Sequence, residues 1–175
     1  MSQRGKYEIV ARQYNEYLPR VLNYIRLRVD EEALAQDLTA RTFERALSRL
    51  HTLRDEGAFG GWLFAIARTV VAGYYRRRKP HLPLESVAGG LAVHGSVEER
   101  VVRSEELDAL HAALDALKER EREIIRLKFV AGLTNRAIGK EMGLREGNVA
   151  VILYRALRKV RARLEAEEQG CAGAK

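Results

Sequence analysis

Apolar positions recur at helical spacing along nearly the whole chain, and no stretch alternates as a half-buried strand does. A first helix is expected from about Lys6 to Val29, with Tyr7, Val10, Tyr14, Tyr17, Leu18, Val21, Leu22 and Ile25 on its apolar side. Asp30 is the expected cap of a second helix that continues to about Leu50. A third opens near Ala58 and stacks Phe59, Trp62, Leu63, Ile66 and Val70 on one face. The periodicity then stops. Pro80, Pro83, Gly89, Gly90 and Gly95 crowd residues 80–95, which read as a flexible linker. Ser96 followed by Glu99 forms a capping box, and the helix it opens carries Val101, Leu107, Leu110, Leu114 and Leu117. The pattern is all-α: two small helical domains, residues 1–79 and 96–166, joined by the linker and followed by a tail, residues 167–175. Units this small depend on tight helix packing, and on each other, for stability.

The second domain has a rhythm of its own. Glu119 to Val130 places Ile124, Ile125, Leu127, Phe129 and Val130 as the buried face of one helix. Gly132 ends it and Thr134 caps the next. That next helix is short, with Arg136, Lys140 and Glu141 outward and Ala137, Ile138 and Met142 inward. Gly143 makes the turn, Leu144 plugs it, and a longer helix from about Arg145 to Leu164 repeats Val149, Ile152, Leu153, Ala156, Leu157 and Val160. Two helices joined by a short turn containing glycine form a helix-turn-helix, whose second helix enters a major groove. A helical hairpin in an ordinary bundle shares that spacing, but charge separates the two. Arg145, Arg155, Arg158, Lys159, Arg161 and Arg163 face the single acid Glu146 over this helix. Such an excess suits phosphate neutralisation better than a solvated face of mixed sign.

The totals agree with an anionic partner: 175 residues carry a net charge of +7. A second basic cluster, Arg76, Arg77, Arg78 and Lys79, closes the third helix after Arg68, Tyr74 and Tyr75. Basic residues at a helix end also answer the helix dipole; with aromatic neighbours they can hold a nucleic-acid backbone. No apolar run reaches the roughly 20 residues of a membrane span, and residues 1–8 lack the core of a signal peptide. No membrane insertion and a cytoplasmic location are therefore expected. The one cysteine, Cys171, leaves no internal disulfide possible. His51, His81, His94 and His111 are far apart and lack partners at metal spacing. Neither a metal nor another cofactor is expected, and no nucleophile with a base at a recognisable spacing supports catalysis.

Three blocks carry a resemblance. Asp37, Leu38, Thr39 and Phe43, then Ala46, form the first; Trp62, Leu63, Ile66, Ala67 and Arg68, then Arg76 and Arg77, the second. The third is Leu117, Arg120, Arg122 and Glu123, then Gly132, Leu133, Ile138, Gly143, Glu146, Gly147, Val149, Arg155 and Ala156. In this order and spacing the chain resembles the sigma factors of bacterial RNA polymerase, in the extracytoplasmic-function group that keeps only regions two and four. About Tyr7 to Lys79 resembles region two, and about Glu106 to Glu165 resembles region four.

The resemblance implies a division of labour. Asp37, Leu38, Ala40, Arg41 and Phe43 would bind RNA polymerase core. Arg68, Thr69, Arg76 and Arg77 would contact the minus-ten element, with the loop from about His51 to Gly60 receiving a base drawn from the stack; Trp62 shares a face with Phe59 and Ile66, which favours core over a stacking platform for it. Arg145, Glu146 and Asn148 would meet base edges of the minus-thirty-five element, and Arg155, Arg158 and Lys159 its phosphates. An anti-sigma factor is the implied regulatory partner. This chain departs from the usual pattern at Ala40 and Arg41, which replace a glutamine and a glutamate, and at Thr69 and Gly73, which replace an asparagine and an aspartate. Ala150 and Ile152 stand where lysine and arginine are common. A stand-alone regulator of the LuxR type carries a pattern similar to Leu117 to Gly143, but it would have an α/β receiver or sensor where this chain has helices.

Overall fold

The computed structural model describes residues 3–78 and 100–172, and all of the regular structure among them is helical. The expected linker and the Ser96–Glu99 capping box lie outside the described residues. The first unit comprises α1 (Gln3–Arg26), α2 (Glu32–Ser48) and α3 (Phe59–Arg78). The second comprises α4 (Arg100–Asp115), α5 (Glu119–Ile125), α6 (Asn135–Met142) and α7 (Glu146–Ala172).

Within the first unit each helix packs on the other two. Val21, Tyr24 and Ile25 of α1, Ala35, Leu38 and Ala46 of α2, and Leu63, Phe64 and Ala67 of α3 are fully buried. Edge-to-face rings tie them further: Tyr24 to Phe64 at 5.1 Å between centroids and Tyr17 to Phe59 at 5.2 Å. The start of α2 differs from expectation. Glu31, not Asp30, takes the cap position and makes no side-chain cap bond; Arg26 at the end of α1 instead grips Glu32, its Nε donating at 2.8 Å. Before α3, a 3-10 turn (Glu56–Ala58) is capped by Asp55, whose Oδ1 accepts the Ala58 N–H at 2.9 Å.

In the second unit α4, α5 and α6 all pack on α7. Thr134 caps α6 by accepting the Ala137 N–H at 3.2 Å, and Gly132 and Gly143 adopt φ of +69° and +67°. The turn after α6 is tight enough that a Cβ on Gly139 would lie 2.7 Å from the Leu144 carbonyl oxygen. Two expectations fail here. After Ile125 the helix widens into a π-turn (Arg126–Val130), closed by the Ala131 N–H donating to the Arg126 carbonyl at 3.0 Å. The wider turn rotates the side chains along it, leaving Phe129 61% exposed rather than in the core. The last helix also runs beyond Leu164 to Ala172, through most of the expected tail.

The two units share one apolar core, in which Ile124, Leu127, Leu133, Ile138 and Val149 join the residues of α1, α2 and α3. A smaller cluster of Ala113, Leu117, Ala156 and Val160 holds α4 to α7. At the junction sits Glu123, a buried carboxylate of α5 whose Oε1 accepts the Tyr24 hydroxyl at 2.8 Å. It pairs with Arg28 and, at 3.3 Å, with Arg68, and it lies 3.9 Å from Arg126. Arg28 lies over the Tyr24 ring at 4.6 Å. Burial pushes the Tyr24 hydroxyl above its ordinary range, which keeps it a proton donor, and pulls the Arg28 guanidinium below its own.

Removing Glu123 leaves guanidinium groups facing one another without their counter-ion. Glu123→Ala is expected to lower the unfolding free energy by about 3 kcal/mol, read as a lower urea midpoint. Gly139→Ala is expected to cost about 1–3 kcal/mol, because the turn backbone must give way. Gly73→Ala, where a Cβ meets nothing within 4 Å, is expected to add about 1 kcal/mol in the same measurement.

Candidate nucleic-acid interface

The helix-turn-helix presents α7 by burying one of its faces. Val149, Leu153, Ala156 and Val160 point into the protein at alternating spacings of four and three. The opposite stripe therefore runs through Gly147, Val151, Tyr154 and Arg158, flanked by Asn148 and Arg155. All six residues assigned to the minus-thirty-five element, Arg145, Glu146, Asn148, Arg155, Arg158 and Lys159, are exposed. They do not form one surface. Lys159 turns back toward α5 and donates to Glu121 at 2.7 Å, a bond that holds the Glu121 carboxyl below its ordinary range. Arg158 stays on the outer stripe, its guanidinium 5.9 Å from the Tyr154 ring centroid.

Val151 and Tyr154 are 47% and 63% exposed on that stripe. Sequence reasoning passed over them because it looked for charge; their spacing from Gly147 and Arg158 carries the signal. An apolar side chain on a groove-facing stripe can pack on the methyl group of a thymine.

The residues assigned to the minus-ten element are divided. Arg76 and Arg77 are exposed near the end of α3, and Thr69 is exposed with its hydroxyl donating to the Ala65 carbonyl at 2.9 Å. Arg68 lies instead beneath the second unit, its Nη1 donating to Glu141 at 2.6 Å and its Nε near Glu123. Glu141, expected to face outward, is half-buried, and burial holds its carboxyl above the ordinary range against the pull of Arg68. Trp62 is half-buried beside Phe59, with its indole N–H donating to the Thr52 hydroxyl at 2.9 Å. Tyr75 is committed to the first unit, donating to the Arg28 carbonyl.

Of the residues assigned to polymerase, Asp37, Ala40 and Arg41 form an exposed face of α2, and Arg41 pairs with Asp37 one turn back at 2.9 Å. Leu38 and Phe43 are buried in the core, so they position this face rather than form it. The reason is the helical period, which brings Arg41 back beside Asp37 but turns Leu38 and Phe43 to the other side of α2.

Comparison with known proteins bears on this geometry. Residues 13–81 match Sigma-70 region 2, and residues 107–160 match Sigma-70, region 4. The ECF RNA polymerase sigma factor BldN of Streptomyces coelicolor is 36% identical over 162 residues, covering 90% of this chain and 61% of BldN. The chain thus spans only about three-fifths of that relative. The ECF RNA polymerase sigma factor SigM of Bacillus subtilis is 25% identical over 149 residues, covering 85% of this chain and 91% of SigM. The sigma factor RpoE from Bartonella quintana, solved in complex with the anti-sigma factor NepR, has a similar fold, with a TM-score of 0.63 at 22% identity. That match covers 89% of this chain and 96% of the solved one. The two matched regions lie in family order across well over half of the residues, and the chain belongs to the sigma-70 family of RNA polymerase sigma factors, in its extracytoplasmic-function group.

Proposed function

We propose that this chain directs bacterial RNA polymerase core to promoters bearing minus-ten and minus-thirty-five elements and assists their melting. The observation that carries the reading is the outer stripe of α7: exposed, basic, and held outward on a helix-turn-helix that follows a region-two unit in the same chain. A stand-alone regulator would have no use for that first unit. Arg145, Glu146, Asn148 and Val151 face base edges, while Arg155 and Arg158 meet phosphates and fix the register. Lys159 steadies α7 through Glu121 instead.

Region two holds the non-template strand once the duplex opens. Unstacking a base costs a few kcal/mol, offset by backbone contacts from Arg68, Thr69, Arg76 and Arg77 and by capture of the base near residues 51–60. The Asp37, Ala40 and Arg41 face of α2 docks on polymerase. An anti-sigma factor regulates the chain, a proposal supported by the assembly of RpoE with NepR. The work takes place in the cytoplasm; among the described residues no helix is long and apolar enough to cross a membrane.

Run-off transcription with core polymerase and a library of promoter fragments tests the reading. Transcripts that require the chain, from fragments sharing two spaced elements, are expected; duplex binding without initiation would refute it. Arg158→Ala is expected to weaken DNA binding for all sequences and to lower the salt slope by about one, whereas Val151→Ser should lower affinity only for sites with a thymine at one position, by about 1 kcal/mol. Arg41→Glu is expected to weaken polymerase binding without changing the helical content seen by circular dichroism.

A further inference from the structure

We propose that α6 is itself a phosphate-binding element: Arg136 and Lys140, which lie outside the residues assigned to the minus-thirty-five element, hold the backbone of one DNA strand while α7 lies in the groove. The proposal rests on the reading of α7 as the helix that meets duplex DNA. Both cations are exposed, and neither has a hydrogen-bond or ion-pair partner among the described residues. Elsewhere region four matches cations to its own acids. Arg122 pairs with Asp115 and Glu119, Arg126 with Glu119, Lys159 with Glu121 and Arg161 with Glu165. Arg136 and Lys140 are left to solvent.

The packing of α6 fixes where this pair faces. Ile138 is buried in the core, Gly139 lies against the start of α7, Ala137 is close to Gly61 of α3, and Glu141 bonds to Arg68 of α3. At about 100° per residue, the face left between Gly139 and Ala137 carries Arg136 and Lys140. The approach to α7 is close: the Leu144 N–H donates to the Gly139 carbonyl at 2.7 Å, and a Cβ on Gly139 would lie 3.5 Å from the Glu146 nitrogen. The two cations therefore border the end of α7 that carries Arg145, Glu146 and Asn148.

Charge on α6 is sorted by face. Its one acid, Glu141, turns to Arg68, while both cations turn to solvent. Arg136 lies in the first turn, where the helix dipole favours an anion and no acidic side chain is present. A cation there works against the helix itself, and an incoming phosphate reverses that sign. Lys140 lies in the last turn, where the dipole favours it, one helical turn from Arg136 on the same face. A helix-turn-helix that lays its second helix in the major groove crosses the backbone with its first. The flexible stems of the pair let both charges follow a strand without reading its sequence. With Arg155 and Arg158 meeting phosphates further along, α7 is then held at two separated points, and its reading end is one of them.

The test uses the full chain with Arg136→Gln and Lys140→Gln together, because glutamine keeps helix propensity and removes the charge. Binding to a duplex fragment recovered from the run-off library is followed by fluorescence anisotropy from about 50 to about 200 mM salt. Two lost phosphate contacts should make the slope of log affinity against log salt shallower by about two. Across that range the native chain should then lose about tenfold more affinity than the variant does. Arg136→Lys with Lys140→Arg, which keeps both charges, should retain the native slope. In the glutamine variant, discrimination against single-base changes in the minus-thirty-five element should be unchanged, and the urea midpoint should not fall.

A native slope in the glutamine variant would overturn the proposal, as would a loss confined to particular base sequences. Weaker binding to core polymerase with an unchanged DNA slope would assign the pair to an acidic protein surface and overturn it as well. Should the native chain initiate from no fragment, the sigma-factor reading itself fails. A random-sequence duplex then serves as the probe, and the same change of slope still decides the role of α6, because phosphate contacts need no particular sequence. A native chain that binds no duplex at all would overturn both.

Discussion

A buried carboxylate has to be neutralised, and in this chain the neutralising groups come from both units. Glu123 belongs to α5, but Tyr24 reaches it from α1, Arg28 from just beyond the end of that helix, and Arg68 from α3. Taking these charges out of water is costly unless they meet in good geometry, so the ions favour the two small helical units as one body. Around that point the apolar residues are continuous: Leu127, Leu133 and Ile138 pack with the side chains of α1 and α3 rather than forming a separate core. Neither unit alone would bury as large a fraction of its surface, which is the usual weakness of short domains.

The same arrangement sets what each recognition surface can do. Burial of Val149, Leu153, Ala156 and Val160 fixes the rotation of α7 and presents Val151, Tyr154 and Arg158 to solvent. Region two is treated differently, because its helix α3 offers one part to solvent and one part to α6. Of the cations that the resemblance assigns to DNA, Lys159 and Arg68 are held by Glu121 and Glu141, the first as a brace within region four and the second as a bridge between regions. The first bond leaves the outer stripe of α7 exposed; the second ties α3 to α6.

Most of the fold was legible because it follows from a period and from turn residues. The three helices of region two, the cap at Thr134 and the left-handed glycines at 132 and 143 all stand where the apolar spacing and the glycines place them. Phe129 did not follow, since a π-turn leaves no trace in apolar spacing and shifts the side chains along it. The candidate site was legible as a list of residues but not as a geometry. A linear reading assigns Arg68 to a DNA contact and Glu141 to an outward face of another helix, and only the packing of α3 on α6 shows that each is the other's partner. Leu38 and Phe43 belong to a recognisable motif yet serve its core, because a motif records which residues recur and not which atoms touch a partner.

The central claim is that the two units form one body around the Glu123 cluster in the free chain. Spin labels on Glu44→Cys of α2 and Ala162→Cys of α7, in a chain with Cys171→Ser, would measure the distance between two exposed points, one in each unit. A single narrow distance in the free chain, broadened by Glu123→Ala, is the expected result. A broad distribution in the free chain, or a narrow one that Glu123→Ala leaves unchanged, would contradict the account.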